Sequence, residues 1–253
     1  MLKTRLIPVL LLRGGRMVKT KQFNHIREVG FPVTAAKIYD AQGADELVFL
    51  DIDASAEKRK FILEIITEVA EACFMPLTVG GGVQTLEDIR KLLSAGADKV
   101  CINTAAIENP EFIKKAAERF GDQCIVVSID AKKNERGEYE VFACRGTRPT
   151  GLNPVDWARR AESLNAGEII ITSIDREGMM EGYDLELIKS VAEAVSIPVI
   201  AHGGAGTLQD LVDAVQKSQV SAVAAASIFH FTDQSPIKAR RFMKEAGLHV
   251  RVG

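Results

Sequence analysis

Residues 76–107 read PLTVGGGVQTLEDIRKLLSAGADKVCINTAAI, and residues 198–229 read PVIAHGGAGTLQDLVDAVQKSQVSAVAAASIF. An offset of 122, from Pro76 to Pro198, lays one on the other. It matches Gly81-Gly82 with Gly203-Gly204, Thr85-Leu86 with Thr207-Leu208, and Asp88 with Asp210. Each copy runs apolar strand, glycine turn, threonine cap, amphipathic helix, second apolar strand. That is a βαβ unit with a backbone-lined anion site at its turn. The repeat spans about half the chain, so each half is expected to form one structural half.

Outward from this repeat, strands and helices alternate. Short runs rich in Val and Ile begin near Arg5, Glu46, Pro76, Lys99, Gln123, Glu168, Ile197 and Val220, the pattern of strands buried on both faces. Amphipathic stretches near 32–43, 58–73, 85–95, 110–120, 154–165, 184–195, 207–217 and 235–246 separate them. Thr85 and Thr207, each with Asp three residues on, predict capping boxes; Asn109-Pro110 and Asn153-Pro154 predict a cap residue followed by a first-turn proline. Eight strands, each followed by a helix, imply an α/β fold, a (β/α)8 TIM barrel built from two duplicated half-barrels. One domain is expected over 1–253, with halves at about 1–122 and 123–253. The longest breaks, 13–31 and 131–152, take equivalent places in the two halves, at the face where barrel enzymes keep their chemistry.

Composition agrees. A chain of 253 residues, 47% hydrophobic and 26% charged, suits one large core. A net charge of −2 gives no reason to expect nucleic acid or a membrane surface as partner. There is no apolar run of spanning length and no signal-peptide pattern, so the expected location is cytoplasmic. Cys73, Cys101, Cys124 and Cys144 lack metal-like spacing, and three of them are expected to be buried thiols. No metal and no cofactor is expected.

The glycine turns are the first functional signal. Gly80-Gly81-Gly82 ends the third strand and Gly203-Gly204 the seventh. Asn103-Thr104 ends the fourth and, after a one-residue slip, Ala226-Ser227 the eighth. Glycine admits close backbone approach, and a following helix start offers free N–H groups. Tight βα turns alone would also explain the glycines. Two such turns related by symmetry favour two phosphate sites on opposite sides of one mouth, suiting a small molecule with a phosphate at each end.

The segments VGGG, INTAAIENP, SIDAK, TSIDREG and GGAG, in this order, resemble the cyclase subunit of imidazole glycerol phosphate synthase over nearly the whole chain. That family, a half-barrel duplication in histidine biosynthesis, comprises lyases that cleave and cyclise a two-phosphate ribulosyl substrate with ammonia from a partner glutaminase. The resemblance implies phosphate binding at Gly82, Asn103, Thr104, Gly178, Gly204, Ala226 and Ser227. It also implies catalytic roles for Asp130, Lys19 and Thr172. The family's second aspartate, at the end of the first strand, is absent: Val9-Leu10-Leu11-Leu12 puts Leu11 there. An alkyl side chain can neither take nor give a proton, and general acid–base catalysis contributes about 10²–10⁴-fold. Glu177 stands where the family has Asp, and Arg145 lies in the loop after the fifth strand.

The opposite end of the barrel matches better. Arg5, Glu46, Lys99 and Glu168 each open a strand, and four alternating charges would close a ring of salt bridges about the axis. By resemblance they form the family's ammonia gate, and Asp98 is a contact with the glutaminase. The start Ile7-Pro8-Val9-Leu10-Leu11-Leu12 and the run Val18-Lys19-Thr20 are similar to a branch of the family that supports acetamidino formation on surface-polysaccharide sugars. Members of that branch pair with a glutaminase and an ATP-dependent sugar amidotransferase. Two functions therefore stand: a repurposed ammonia-receiving subunit for sugar amidination, or a working cyclase that tolerates Leu11. A sugar isomerase on the same plan would also need both aspartates. His202 reads as a ligand contact or as packing. His25, His230 and His249 read as surface or loop residues, and Trp157 as packing.

Overall fold

The computed structural model describes residues 3–53 and 59–251, with the backbone alone at 59–61. In chain order the strands are β1 (Arg5–Arg13), β2 (Arg16–Lys21), β3 (Asn24–Gly30), β4 (Leu47–Asp51), β5 (Leu77–Gly80), β6 (Lys99–Ile102), β7 (Ile125–Lys133), β8 (Tyr139–Ala143), β9 (Arg148–Pro149), β10 (Glu168–Ser173), β11 (Val199–His202) and β12 (Ala222–Ala225). The helices are α1 (Pro32–Ala41), α2 (Arg59–Ala72), α3 (Leu86–Ser94), α4 (Thr104–Glu108), α5 (Glu111–Phe120), α6 (Pro154–Ser163), α7 (Leu185–Ala192), α8 (Leu208–Ser218), α9 (Ser227–Phe231) and α10 (Pro236–Glu245). Residue 58, the expected start of the second helix, lies outside the described residues.

Strands β1, β4, β5, β6, β7, β10, β11 and β12 pair in parallel in that order, and β12 returns to β1. The sheet is a closed (β/α)8 barrel. Side chains alternate along each strand, which divides the interior into two cores. Ile7, Val9, Leu11, Val48, Cys101, Val126, Ile170, Ile200, Ala222 and Ala224 fill the barrel itself. Their neighbours Leu6, Leu10, Leu47, Phe49, Val79, Val127, Ile129, Ile169 and Ile171 belong to the layer beneath the helices.

Both expected capping boxes are present: Thr85 with Asp88 on α3, and Thr207 with Asp210 on α8. Asn153 caps α6. Asn109 does not cap: α5 starts at Glu111, with Pro110 at its N-cap and no side-chain bond. The Asn109 backbone (φ −139°, ψ 87°) already ends the short helix α4, which the sequence pattern did not announce. Its counterpart is α9. Their N-caps, Asn103 (φ −127°, ψ −84°) and Ala226 (φ −128°, ψ −67°), share one conformation, which bears out the one-residue slip in the repeat.

The two long breaks are folded. After β1 the chain turns through Gly14 (φ 56°) and Gly15 (φ 78°) into β2, the two-residue turn with both central φ positive that suits a twisted hairpin. Strand β3 then pairs with β2. After β7, β8 folds back antiparallel and β9 adds to it. Each half thus raises a β-ribbon above the mouth.

Cys73 and Cys101 are buried, but Cys124 is half-buried and Cys144 exposed. Cys124 ends a single 3-10 turn at the barrel's N-terminal rim, and Cys144 sits in the turn after β8 with φ 51°. Trp157 is in the core, 4% exposed. Among the described residues no helix is long and apolar enough to cross a membrane.

Candidate active site at the barrel mouth

At the N-terminal end the four strand-opening charges meet. Arg5 Nη1 lies 2.8 Å from Glu46 Oε2 and 2.9 Å from Glu168 Oε1, and Lys99 Nζ lies 3.0 Å from a carboxylate oxygen of each. Thr78 Oγ1 donates to Glu46 Oε1 at 2.6 Å. Every charge has two partners of opposite sign, so the ring closes across the axis. Asp98 is exposed at the same end, its carboxylate accepting from the Leu77 N–H at 2.8 Å.

The C-terminal end carries the chemistry-bearing groups. Asp130 ends the inward row Val126-Ser128-Asp130 of β7. Ser128 Oγ donates to its Oδ1 at 3.0 Å, and Asn103 Nδ2 to its Oδ2 at 3.2 Å. Burial nevertheless outweighs this bonding, raising the Asp130 carboxyl to about 6. Cys101, below Asp130, is pushed up to about 12 by burial first and by the Asp130 charge second. Ser128 escaped the sequence reading, although V-S-I-D alternation places it on the face of Asp130.

Leu11 ends the inward row of β1, 6% exposed, in one cluster with Val9, Val18 and Ala226. Three strands separate β1 from β7 on either side, so Leu11 and Asp130 face each other across the mouth. Asp51, on the neighbouring β4, follows the parity of Leu47 and Phe49, away from the axis, and receives the Asp53 N–H at 2.9 Å.

The β2–β3 ribbon lies over this mouth. Lys19 is buried (4% exposed) and ion-paired with Glu177, which is itself 2% exposed. Thr20 Oγ1 also donates to Glu177, at 2.9 Å, and so does the Phe23 N–H, at 3.3 Å. Phe23 packs over Gly146 in the ribbon of the other half, and Gln22 N–H donates to the Glu177 carbonyl at 2.8 Å. Burial brings Lys19 down to about 8. Sequence reading marked Glu177 as a departure but not as the partner of Lys19, 158 positions away.

A pocket of about 220 Å³, its open mouth included, lies at the turns after β10, β11 and β12. Lys19, Glu177, Gly178, His202, Gly204 and Ser227 are among its lining residues, and Ala226 borders it. Glycine is required here. Gly204 (φ 118°) has its α-carbon against the Gly182 carbonyl, and Gly178 (φ 73°) lies against Thr20. Among the described residues, Ser227 Oγ is buried without a hydrogen-bond partner. The first-half counterparts are spent on protein. Asn103 donates to Asp130, to the Ser128 carbonyl at 3.1 Å and to the Phe142 carbonyl at 3.5 Å. Thr104 Oγ1 donates to Asn103 Oδ1 at 3.2 Å and accepts from Cys144 N–H at 3.0 Å. Gly82 (φ 60°) follows Gly81, whose α-carbon abuts the Asp51 backbone. Arg145 Nη1 reaches the Ile52 carbonyl at 2.7 Å. The two symmetric anion sites expected from the repeat are therefore unequally prepared.

His202 lines the pocket and its Nδ1 lies 3.1 Å from Thr172 Oγ1. His230 is not a plain surface residue. It is half-buried on α9 with Nδ1 3.1 Å from the Tyr39 hydroxyl.

A closed parallel barrel with a carboxylate, a lysine and glycine turns gathered at its C-terminal mouth has the layout of the (β/α)8 enzymes. The sequence profile of the family described as histidine biosynthesis protein matches residues 5–235. The chain belongs to that family.

Proposed function

We propose that this chain is a cyclase-like subunit of the imidazole glycerol phosphate synthase type. It receives ammonia from a glutaminase docked on its N-terminal face and supports amidination of a sugar in surface-polysaccharide biosynthesis, rather than cyclising. Leu11 carries this reading. The position facing Asp130 across the mouth is aliphatic and packed among Val9, Val18 and Ala226, so it supplies no second proton-transfer group. Support for the receiving role comes from the ring of Arg5, Glu46, Lys99 and Glu168, with Asp98 exposed beside it. An ATP-dependent sugar amidotransferase is the partner that would use the ammonia. Purified barrel, given free ammonia and the bisphosphate ribulosyl substrate, is expected to turn over at least about 10²-fold more slowly than a two-aspartate cyclase. Comparable turnover would sink the proposal and leave a working lyase of histidine biosynthesis.

The pocket's ligand is read as a phosphate. Ser227→Ala is then expected to move two measurements in opposite directions. Thermal stability of the free protein holds or rises, because a buried hydroxyl without a partner is removed. Affinity for inorganic phosphate, by calorimetry, falls about tenfold or more, since a hydrogen bond to a charged group contributes roughly 1.5–3 kcal/mol.

A further inference from the structure

We infer that the mouth anchors its ligand by a single phosphate, held in the second-half pocket, because the side chains of the first-half anion site serve the protein itself. The ligand class is a small molecule with one anchored phosphate, and a bisphosphate binds through one end only. This rests on the phosphate reading of the pocket and goes beyond it, since that reading concerns one pocket and not the number of sites.

Donor counting separates the two halves. The Asn103 amide has two N–H hydrogens. The Ser128 carbonyl at 3.1 Å and Asp130 Oδ2 at 3.2 Å take them, and the Phe142 carbonyl shares at 3.5 Å. The Thr104 hydroxyl has one hydrogen. It goes to Asn103 Oδ1 at 3.2 Å, while the oxygen accepts from the Cys144 N–H at 3.0 Å. Neither side chain has a donor left for a phosphate. Cys144 (φ 51°), Arg145 (φ 59°) and Gly146 (φ 72°) run left-handed in succession at the turn that reaches Thr104. Non-glycine residues adopt that conformation at a cost, so the turn needs its bonds to Thr104 and, through Arg145 Nη1, to the Ile52 carbonyl at 2.7 Å.

In the second half Ala226 takes the place of Asn103, and Ser227 that of Thr104. Ala226 has no polar side chain, so nothing at that position draws on Ser227. Among the described residues Ser227 is 5% exposed, its Oγ has no partner, and it lines the pocket. Lys19 lines the same pocket and has three N–H hydrogens. Two are spent, on Glu177 and on the Thr20 carbonyl at 3.0 Å, so one remains for a ligand. Both Glu177 oxygens are engaged, one by Lys19 and the other by Thr20 and the Phe23 N–H. A hydroxyl and an ammonium thus stand ready beside the glycine turns of this half alone.

Calorimetry and phosphorus-31 NMR of the whole chain test the number of sites. With inorganic phosphate the chain is expected to take up one equivalent. Ser227→Ala is expected to lower that affinity about tenfold or more, the effect of losing a hydrogen bond to a charged group. Thr104→Val is expected to leave the affinity in place and to speed exchange of the Cys144 amide proton. With the bisphosphate ribulosyl substrate, one phosphorus signal is expected to shift on binding and the other to stay at its free position. Two equivalents of phosphate, a shift of both signals, or a loss with Thr104→Val as large as with Ser227→Ala would overturn the single anchor and spare the phosphate reading of the pocket. No uptake of phosphate at all would sink that reading, and this inference with it.

Discussion

Leu11→Asp is expected to raise turnover of the bisphosphate ribulosyl substrate with free ammonia by about 10²–10⁴-fold over the native chain, the range typical of one general acid–base group. The substituted side chain starts from the inward row of β1, opposite Asp130, so the geometry of a facing pair is restored without moving the backbone. Its neighbours are Val9, Val18 and Ala226. Desolvation there pushes a carboxyl pKa upward, toward the range useful to a general acid near neutral pH. The same apolar surroundings make the variant less stable. Losing a buried leucine side chain costs about 1.5–3 kcal/mol by transfer alone, so urea denaturation is expected to show a loss of at least that size. The two readouts oppose each other, which separates a restored function from a general improvement. A folded variant without any gain would mean that Glu177 and His202 have re-purposed the mouth beyond a single residue.

Why Leu11 was legible from sequence while Glu177's role was not comes down to range. Strand alternation and βα order are local, so eight strands, eight helices and the inward parity of Leu11, Asp130 and Thr172 can be read from spacing. The same parity places Arg5, Glu46, Lys99 and Glu168 in one layer, and the structure closes them into a ring. The β1–β2 hairpin was also within reach. Gly14-Gly15 between Arg13 and Arg16 is a two-residue hairpin signal, and only the lack of strong apolar alternation over 24–30 hid β3. That strand is exposed along most of its length, so no buried face enforces a pattern. Asn109 shows the reverse error. Its local cap signal was overridden by α4, whose end already fixes that backbone. The Lys19–Glu177 pair joins strand β2 to the turn after β10, 158 positions apart, and no periodicity encodes such a contact. Nor could the repeat say that Asn103 and Thr104 would be bonded to protein while Ser227 has no partner among the described residues, because that difference arises from the ribbon after β7.

Glu177→Gln is expected to be the most destabilising of the conservative changes at the mouth, by roughly 3–5 kcal/mol while Lys19 keeps its proton, the range for removing one partner of a buried ion pair. Lys19 and Glu177 are 4% and 2% exposed, so solvent screens the pair little. The glutamine keeps the shape and still accepts from Thr20 and Phe23, which places the loss toward the lower end. What it cannot supply is the counter-charge for a buried ammonium. The pH dependence follows from Lys19. Its folded pKa of about 8 lies below the ordinary lysine value of 10.5, so between those values the unfolded chain binds more protons and this group adds stability as pH rises. Without the carboxylate Lys19 loses its proton at a lower pH than in the native chain, so the variant's deficit should shrink as pH rises toward about 8 and level off above it, where the amine is neutral in both. Local exchange should change with it. Glu177 is what holds Lys19, Thr20 and Phe23 down, so amide protons of β2 and β3 are expected to exchange faster while those of β5 and β6 do not. Pairing the change with Lys19→Met removes both charges, and the double variant is expected to recover most of the loss, giving a coupling energy of the same sign and order. A double variant no more stable than Glu177→Gln alone, or a ribbon whose exchange is unaltered, would show that the carboxylate is not what fastens the ribbon over the pocket.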